Sequence, residues 1–249
     1  MIAVSGWPQG HELRHFAEIE STNEEARRLA ATGVEGPVWL AADCQTKGRG
    51  RRGREWQSPP GNLSATLLFV PGRSTAECAQ LSFVAALAVA DLVGHYAPQA
   101  EVKIKWPNDV LAEERKIAGI LLESTGSDGA RPAWLAVGFG INLASHPPDT
   151  EFPATSIAGL GVSSPAPLDA LARLAVNWSG WYASWVERGF QPIRDSWLAR
   201  AARLGARIQT RLARGDAIGI FEGIDDSGAL LLRETADRVR SISAGEVFF

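Results

Sequence analysis

The chain has 249 residues and a formal net charge of −3, with 45% hydrophobic and 21% charged residues. This composition is typical of a soluble globular protein, and the length allows one large domain or a large domain with a small one. The mildly acidic balance argues against broad nucleic-acid binding through a basic face.

Three kinds of segment or site are not expected from the sequence. The two cysteines, Cys44 and Cys78, are too few for a disulfide framework or a cysteine-based zinc site. The start of the chain has no basic region followed by an apolar one, as a secretory signal would. No run approaches the ~20 apolar residues of a membrane span. We therefore expect a cytoplasmic protein that does not bind membranes.

The first predicted helix begins at Ser21 or Thr22. Glu24 and Glu25 each follow three residues after one of these, in the capping-box pattern, and Gly33 suits the left-handed position after the last turn. Residues 37–43 predict a buried strand, and residues 62–70 predict another.

The rest of the chain predicts a large mixed domain followed by a small β domain. A long apolar helix is expected over 75–97, then strands over 101–106, 116–123 and 134–143, then helices over about 167–188 and 190–203. From Leu204, short β-type runs separated by turn residues indicate a small barrel. We predict an α+β domain over 1–203 and a β-barrel domain over 204–249.

A glycine- and arginine-rich loop, QTKGRGRRGREW, occupies residues 45–56, with five basic side chains and three glycines. Such local positive charge requires an anion: a nucleic-acid backbone, a dinucleotide pyrophosphate or the phosphates of a nucleotide being cleaved. Residues 48–53 match G-x-G-x-x-G, but a dinucleotide fingerprint must open a helix. Pro59 and Pro60 follow too soon for that.

The segment His11–His15 matches H-E-x-x-H, the signature of zinc proteases. That chemistry needs both histidines on one helical face. Pro8 and Gly10 precede the segment, and residues 16–20 read as a strand. We therefore predict a chance match.

Polar residues at two strand ends are candidates for a site. Pro107 ends one predicted strand and leaves Asn108 and Asp109 at its end, where they suit hydrated magnesium or phosphate oxygens; an ordinary Asn-Asp turn is the alternative. Lys116 lies at the entry of a buried strand, a position that is usually solvated. Gly138 and Gly140 share a strand, which indicates a close approach to its backbone.

In chain order these segments resemble the motifs of biotin–protein ligases. The matching segments are Ser21-Thr22-Asn23, the loop from Gln45 to Trp56, Lys105-Trp106-Pro107-Asn108-Asp109, Arg115–Leu121 and Gly138–Asn142. The resemblance implies a fold related to the catalytic core of class II aminoacyl-tRNA synthetases, with a Src-homology-3-like C-terminal barrel. It implies that ATP activates biotin to biotinyl-5′-AMP, and that biotin is then transferred to a lysine of a biotin carboxyl carrier protein.

The resemblance also implies roles for individual residues. Lys116, Arg51 and Asp109 would be catalytic, and Asp109 would contact Mg²⁺. The residues around biotin would be Ser21, Thr22, Asn23, Gln45, Gly48, Arg49, Gly50, Arg51, Lys116, Gly119 and Gly138. Those around ATP would be Arg52, Arg54, Trp56, Asn108, Lys116 and Asn142. The loop over 45–56 would then close over an acyl-adenylate, which water would otherwise hydrolyse.

Several alternatives remain at the level of sequence. Only 20 residues precede Ser21, too few for the helix-turn-helix domain of related repressors, so no DNA binding by that route is expected. A lipoate ligase or octanoyltransferase shares the Lys116-x-x-Gly119 context, but its Arg-Arg-x-Ser-Gly-Gly-Gly motif is missing. A nucleic-acid-binding module would explain only the loop. A monomer and a homodimer are both compatible with the sequence.

Overall fold

The computed structural model describes residues 6–124, 131–212 and 215–249. Two sheets and five helices make up the described chain. The elements of the large domain are β1 Glu12–Ile19, α1 Thr22–Ala31, β2 Val38–Gln45, β3 Leu63–Phe69, α2 Thr75–Ala79, α3 Leu81–Tyr96, β4 Val102–Lys105, β5 Asp109–Ala112, β6 Arg115–Ser124, β7 Leu135–Ile141, α4 Pro167–Arg188 and α5 Gln191–Leu198. The smaller sheet contains β8 Arg207–Leu212, β9 Gly215–Ile224, β10 Leu230–Thr235, β11 Arg238–Ile242 and β12 Glu246–Phe248.

The large sheet has seven strands in the order β1-β2-β3-β7-β6-β5-β4. β1 pairs with β2 in parallel, and the other neighbours are antiparallel. β3 and β7 lie at the centre, and every residue of β3 is buried. Such burial on both faces requires a layer of structure on each side of the sheet.

Helices cover the two faces of this sheet unequally. α3, α4 and α5 pack together on one face, and the main core lies beneath them. On the other face α1 packs against β2, β3 and β7 over a small apolar cluster that includes Ala26, Leu40 and Leu68. α1 covers only part of that face, and a cavity lies beside its N-terminal end.

The apolar helix predicted over 75–97 is two helices, α2 and α3, which meet at Gln80. The Gln80 N–H donates to Glu77 O three residues back, a tighter turn than α-helix. Its side chain accepts from Trp185 and donates to Asp226 O. The span Thr75–Tyr96 is long and apolar enough to cross a membrane, but 67% of its most apolar window is buried within the protein, as in the core helix of a globular fold.

Residues 102–112 form a hairpin, of which only the first strand was predicted. β4 ends at Lys105 and β5 begins at Asp109, with Lys105 opposite Asp109 in the register. The four residues of β5 are too few to show an alternating pattern. The turn between them brings Asn108 beside β6, where its Nδ2 donates to Ile120 O at 2.6 Å, and Asp109 lies opposite Gly119.

The small domain is a five-stranded antiparallel sheet in the order β11-β10-β9-β8-β12. Its apolar residues, including Phe221 and Leu230, continue the main core of the large domain. Trp106 Nε1 donates to Gly228 O at 3.0 Å, which ties the β4–β5 turn to this sheet. α5 ends at Leu198 rather than near 203, and Arg203 and Gly205 have positive φ in the turn that leads to β8.

Candidate active site

A cavity of about 300 Å³ lies beside the N-terminal end of α1, a size typical of small-molecule sites. Sixteen of the seventeen residues predicted from the motifs line it: Ser21, Thr22, Asn23, Gln45, Arg49, Gly50, Arg51, Arg52, Arg54, Trp56, Asn108, Asp109, Lys116, Gly119, Gly138 and Asn142. Gly48 lies behind the lining, where a Cβ atom would overlap the backbone of Trp56. Five separate segments therefore meet at one place.

One end of the cavity is a hydrogen-bonded polar pocket. Ser21 caps α1 by accepting from Glu24 N–H, which brings Thr22 and Asn23 into the first turn. Gln45 Oε1 accepts from the Thr22 N–H at 2.8 Å, and Gln45 Nε2 donates to Ser58 Oγ at 2.9 Å. Thr66 Oγ1 lies 2.8 Å from Thr22 Oγ1. Every side chain of this pocket is held in a fixed orientation.

The side chain of Asn23 occupies space that is free only because the residue opposite, Gly138, has no side chain. Its Nδ2 donates to Glu123 Oε2 at 2.7 Å, and its Oδ1 accepts from Thr66 Oγ1 at 2.6 Å. A Cβ atom on Gly138 would lie 3.0 Å from Asn23 Cγ and would overlap Oδ1. The strand glycine at this position is explained by the close approach of a buried amide.

Gly119 and Gly140 pair across β6 and β7 and form a flat floor in the middle of the cavity. The indole of Trp56 lies on this floor, and a Cβ on Gly140 would be 2.5 Å from its Nε1. Lys116 Nζ is 5.6 Å from the Trp56 ring centroid. The floor therefore accommodates a flat ring next to an ammonium group.

Lys116 is paired rather than freely solvated. Its Nζ lies 2.7 Å from Asp109 Oδ1, and the two side chains are only 26% and 14% exposed. The alternative of a solvated lysine at a strand entry is therefore wrong.

Asn142 is buried, and its Nδ2 donates to Thr155 O at 2.9 Å.

The loop over 45–56 is folded across the cavity without opening a helix of useful length. Gly50 N–H donates to Arg54 O at 2.7 Å, and Trp56 N–H donates to Gly48 O at 2.9 Å. Between them lies one 3₁₀ turn, Arg51–Gly53. This geometry excludes the dinucleotide fingerprint, which needs a helix N-terminus facing the pyrophosphate.

All four loop arginines have acidic or amide partners. Arg49 pairs with Glu24 and Glu123 at the polar end, and Arg51 donates to Asn108 Oδ1 at 3.2 Å. Arg54 forms a bidentate pair with Glu246 of the small domain, and Arg52 lies 3.8 Å from the same carboxylate. Burial first, and then the charge of Arg52, lowers the pKa of Arg51.

Glu246 and Lys105 are wall residues that the sequence-based prediction missed. Although burial alone would raise the pKa of Glu246, Arg54, Lys105 and Arg52 lower it overall. Burial lowers the pKa of Lys105 to about 8. Because Lys105 belongs to the Lys105–Asp109 motif, the sequence could have indicated that it lines the cavity. No local pattern marks Glu246, because it reaches the cavity from the far end of the chain.

A magnesium ion bound mainly by phosphate oxygens fits the acidic residues present. Within the described residues there is no group of three His, Cys, Asp or Glu side chains that would hold a metal without help. Mg²⁺ in nucleotide sites commonly takes one or two carboxylates and completes its shell with phosphates and water. Asp109, which lines the cavity, would supply one such carboxylate.

The H-E-x-x-H segment does not form a site. Glu12–Ile19 is a strand, so His11 and His15 lie about 13 Å apart rather than on one helical turn. His11 Nδ1 accepts from Trp39 Nε1 at 3.0 Å, and His15 contacts Asp43. Both histidines have structural partners.

Two family models match the chain. The model described as the biotin/lipoate A/B protein ligase family matches residues 16–142, and that of the biotin protein ligase C terminal domain matches residues 204–249. A biotin–[acetyl-CoA-carboxylase] ligase of Paracoccus denitrificans is 48% identical over 94% of this chain and 99% of its own. One of Mycobacterium tuberculosis is 36% identical over 98% and 90%.

The fold is also similar to solved structures. A biotin protein ligase from Aquifex aeolicus in complex with biotin and ATP superposes with a TM-score of 0.79 at 29% identity. The match covers 95% of this chain and 97% of that one. Both the large mixed domain and the small antiparallel sheet therefore have counterparts in one solved protein.

Proposed function

The chain belongs to the biotin/lipoate A/B protein ligase family, and we infer that it is a biotin–[acetyl-CoA-carboxylase] ligase. It activates biotin with ATP to biotinyl-5′-AMP and then transfers biotin to a lysine of a carrier protein. The observation that supports this most strongly is the meeting, at Lys116, of a rigid polar pocket, a flat glycine floor and a cluster of cations.

We assign biotin to the end of the cavity near α1. A ureido group needs both donors and acceptors, which Ser21, Thr22 and Gln45 provide in fixed orientations. Asn23, braced against Gly138, closes the pocket behind them. Arg49 and the backbone at Gly48 and Gly50 would border the same end. Biotin's carboxylate would then point to Lys116 and Arg51.

We assign ATP to the centre and the opposite end of the cavity. The purine would lie against the Trp56 indole, which itself rests on the floor made by Gly119 and Gly140, with Asn142 nearby. The phosphates would extend toward Arg52, Arg54 and Asn108. In this placement biotin and ATP meet beside Lys116.

In the first step an oxygen of the biotin carboxylate attacks the α-phosphorus and pyrophosphate leaves. Two anions must approach each other, so the requirement is charge neutralisation and alignment rather than a protein nucleophile. Lys116, oriented by Asp109 at 2.7 Å, would hold the carboxylate against the α-phosphate. Mg²⁺, bound through the phosphates and Asp109, would supply further positive charge.

In the second step the amine of the acceptor lysine attacks the acyl carbon and AMP leaves. The mixed anhydride must be protected from water until the carrier protein arrives. The loop over 45–56, tied by Arg54 to Glu246 and by Arg51 to Asn108, would cover it. Asp109 is the carboxylate nearest Lys116 and is our candidate acceptor of the amine proton.

Further parts of the proposal concern the whole molecule. We propose that residues 1–203 form the catalytic domain and 204–249 the small barrel, and that the acceptor is the carrier protein of acetyl-CoA carboxylase. We also propose a reducing, cytoplasmic setting, which the free cysteines Cys44 and Cys78 support. Either a monomer or a homodimer would carry out the proposed function, since one chain supplies the cavity walls.

The function and the covering role of the loop are tested by one experiment. The protein is incubated with biotin, ATP and Mg²⁺ and passed through a desalting column, and bound biotinyl-adenylate is measured over time. The wild-type protein should retain it until apo carrier protein is added, which should become biotinylated. Arg51→Ala should release the adenylate about 10- to 100-fold faster, because one charge-assisted hydrogen bond of the cover is lost.

The matched control is Arg207→Ala, on an exposed position of β8 outside the cavity, which should retain the adenylate as the wild type does. A wild-type protein that forms no adenylate would contradict the proposed function. An Arg51→Ala protein that retains the adenylate normally would contradict only the covering role of the loop.

A further inference from the structure

Lys105 is a buried cation that lines the cavity and, among the described residues, forms an ion pair with no carboxylate. It is only 4% exposed, although it is the last residue of β4. Its Nζ lies 3.3 Å from the ring centroid of Phe152, with Phe249 at 5.3 Å and Phe248 at 5.8 Å. In the described part of the chain its ammonium forms no ion pair or hydrogen bond, unlike Lys116.

The surroundings of Lys105 leave its charge incompletely compensated. Burial, and to a smaller extent the charge of Lys116, lowers its pKa to about 8, although Asp109, Glu246 and Glu151 act in the opposite direction. Aromatic rings attract a cation, but they replace only part of its hydration. A buried ammonium of this kind is stabilised when an anionic ligand arrives next to it.

The position of Lys105 indicates which anion this is. Lys105 lies opposite Asp109 in the backbone register of the β4–β5 hairpin, and Asp109 forms an ion pair with Lys116. Asp109 therefore neutralises Lys116 by direct contact and acts on Lys105 only at longer range. Lys105 lies at the end of the cavity that Glu246 and Glu151 border, away from the polar pocket near α1.

We propose that Lys105 binds the β- and γ-phosphates of ATP and stabilises the pyrophosphate that leaves in the first step. The assignment rests on the proposed function. As the biotin carboxylate oxygen bonds to the α-phosphorus, the bond from that phosphorus to the bridging oxygen breaks. The electron pair stays on the pyrophosphate, and the Lys105 ammonium neutralises the added charge.

The aromatic residues around Lys105 strengthen this interaction. Phe152, Phe248 and Phe249 exclude water from the ammonium, and a charge pair is stronger where water is excluded. Phe248 ends β12, and Phe249 follows it. The small domain thus completes the leaving-group site and contributes to the first step.

The test separates the two half-reactions. Lys105→Met keeps the apolar stem and removes the charge. In biotin-dependent ATP–pyrophosphate exchange, its KM for pyrophosphate should rise about 10- to 100-fold, as expected for loss of a bond to a charged group. Transfer of biotin from preformed biotinyl-adenylate to the carrier, measured in a single turnover, should keep its rate.

The matched control is Lys103→Met, two residues earlier on the same strand, where the partly exposed lysine pairs with Glu101. It should leave both half-reactions unchanged. Lys105→Arg retains the charge and should keep the KM for pyrophosphate within a few-fold of wild type, even if Lys105→Met folds poorly.

Three results would overturn the assignment: an unchanged KM for pyrophosphate in Lys105→Met, equal slowing of both half-reactions, or a folded Lys105→Arg with a KM raised about 10-fold or more. Failure of the proposed function would look different. In that case wild type and Lys103→Met would show no exchange with biotin at all.

Discussion

Lys116→Ala is expected to slow biotinyl-adenylate formation by about 10²- to 10³-fold, the usual effect of removing one preorganised charge-stabilising group. Lys116 is held 2.7 Å from Asp109 at the centre of the cavity, so its ammonium is already in place when the two anions approach. Rapid-quench measurement of adenylate at saturating biotin and ATP gives the rate directly.

The substitution also leaves Asp109 without its partner, so a loss of folding must be separated from a loss of chemistry. Lys116→Ala/Asp109→Asn removes both charges and should regain the thermal stability that Lys116→Ala loses, while remaining as slow. Lys47→Ala removes an exposed lysine of the loop that pairs with Glu20, and it should be as fast as wild type. A normal rate in Lys116→Ala would remove this residue from the reaction.

Gly138→Ala is expected to weaken biotin binding by on the order of 10²-fold, as displacements of about 1 Å do in aligned sites. The added methyl group would overlap the Asn23 side chain. Asn23 has no room to yield, because it is buried and its amide is bonded to Glu123 and Thr66. Calorimetric titration with biotin in the absence of ATP measures this effect without the chemistry.

The matched control is Gly180→Ala, in the interior of α4, where an added Cβ meets nothing within 4 Å. It should keep the affinity for biotin and raise the stability by about 0.5–1 kcal/mol, since alanine favours a helix more than glycine does. If both variants bound biotin equally well, Gly138 and Asn23 would not border the biotin site.

Most of the fold was predictable where local patterns are long or chemically distinctive. The N-cap of α1, the buried strand before the loop and the apolar stretch that forms α3 follow from side-chain chemistry within a few residues. The two glycines of β7 likewise predicted that other groups approach this strand closely. These groups are the side chains of Asn23, at Gly138, and Trp56, at Gly140.

Features that depend on distant parts of the chain were not predictable. Gln80 breaks the long helix where its side chain contacts Trp185 and Asp226, more than a hundred residues away. Glu246 reaches the arginine loop from the small domain. Lys105 reads as an alternating strand residue, and only the packing of Phe152 and Phe248 around it shows that it is a buried cation.

The most direct test of the proposed function is ATP–pyrophosphate exchange by the wild-type protein with Mg²⁺ and biotin, lipoate or octanoate. We expect exchange with biotin alone, because the fixed donors and acceptors of Thr22 and Gln45 match a ureido group and not a linear acyl chain. Exchange with lipoate or octanoate instead of biotin would assign the cavity to the other branch of the family. No exchange with any of the three by the folded protein would contradict acyl-adenylate chemistry in this cavity.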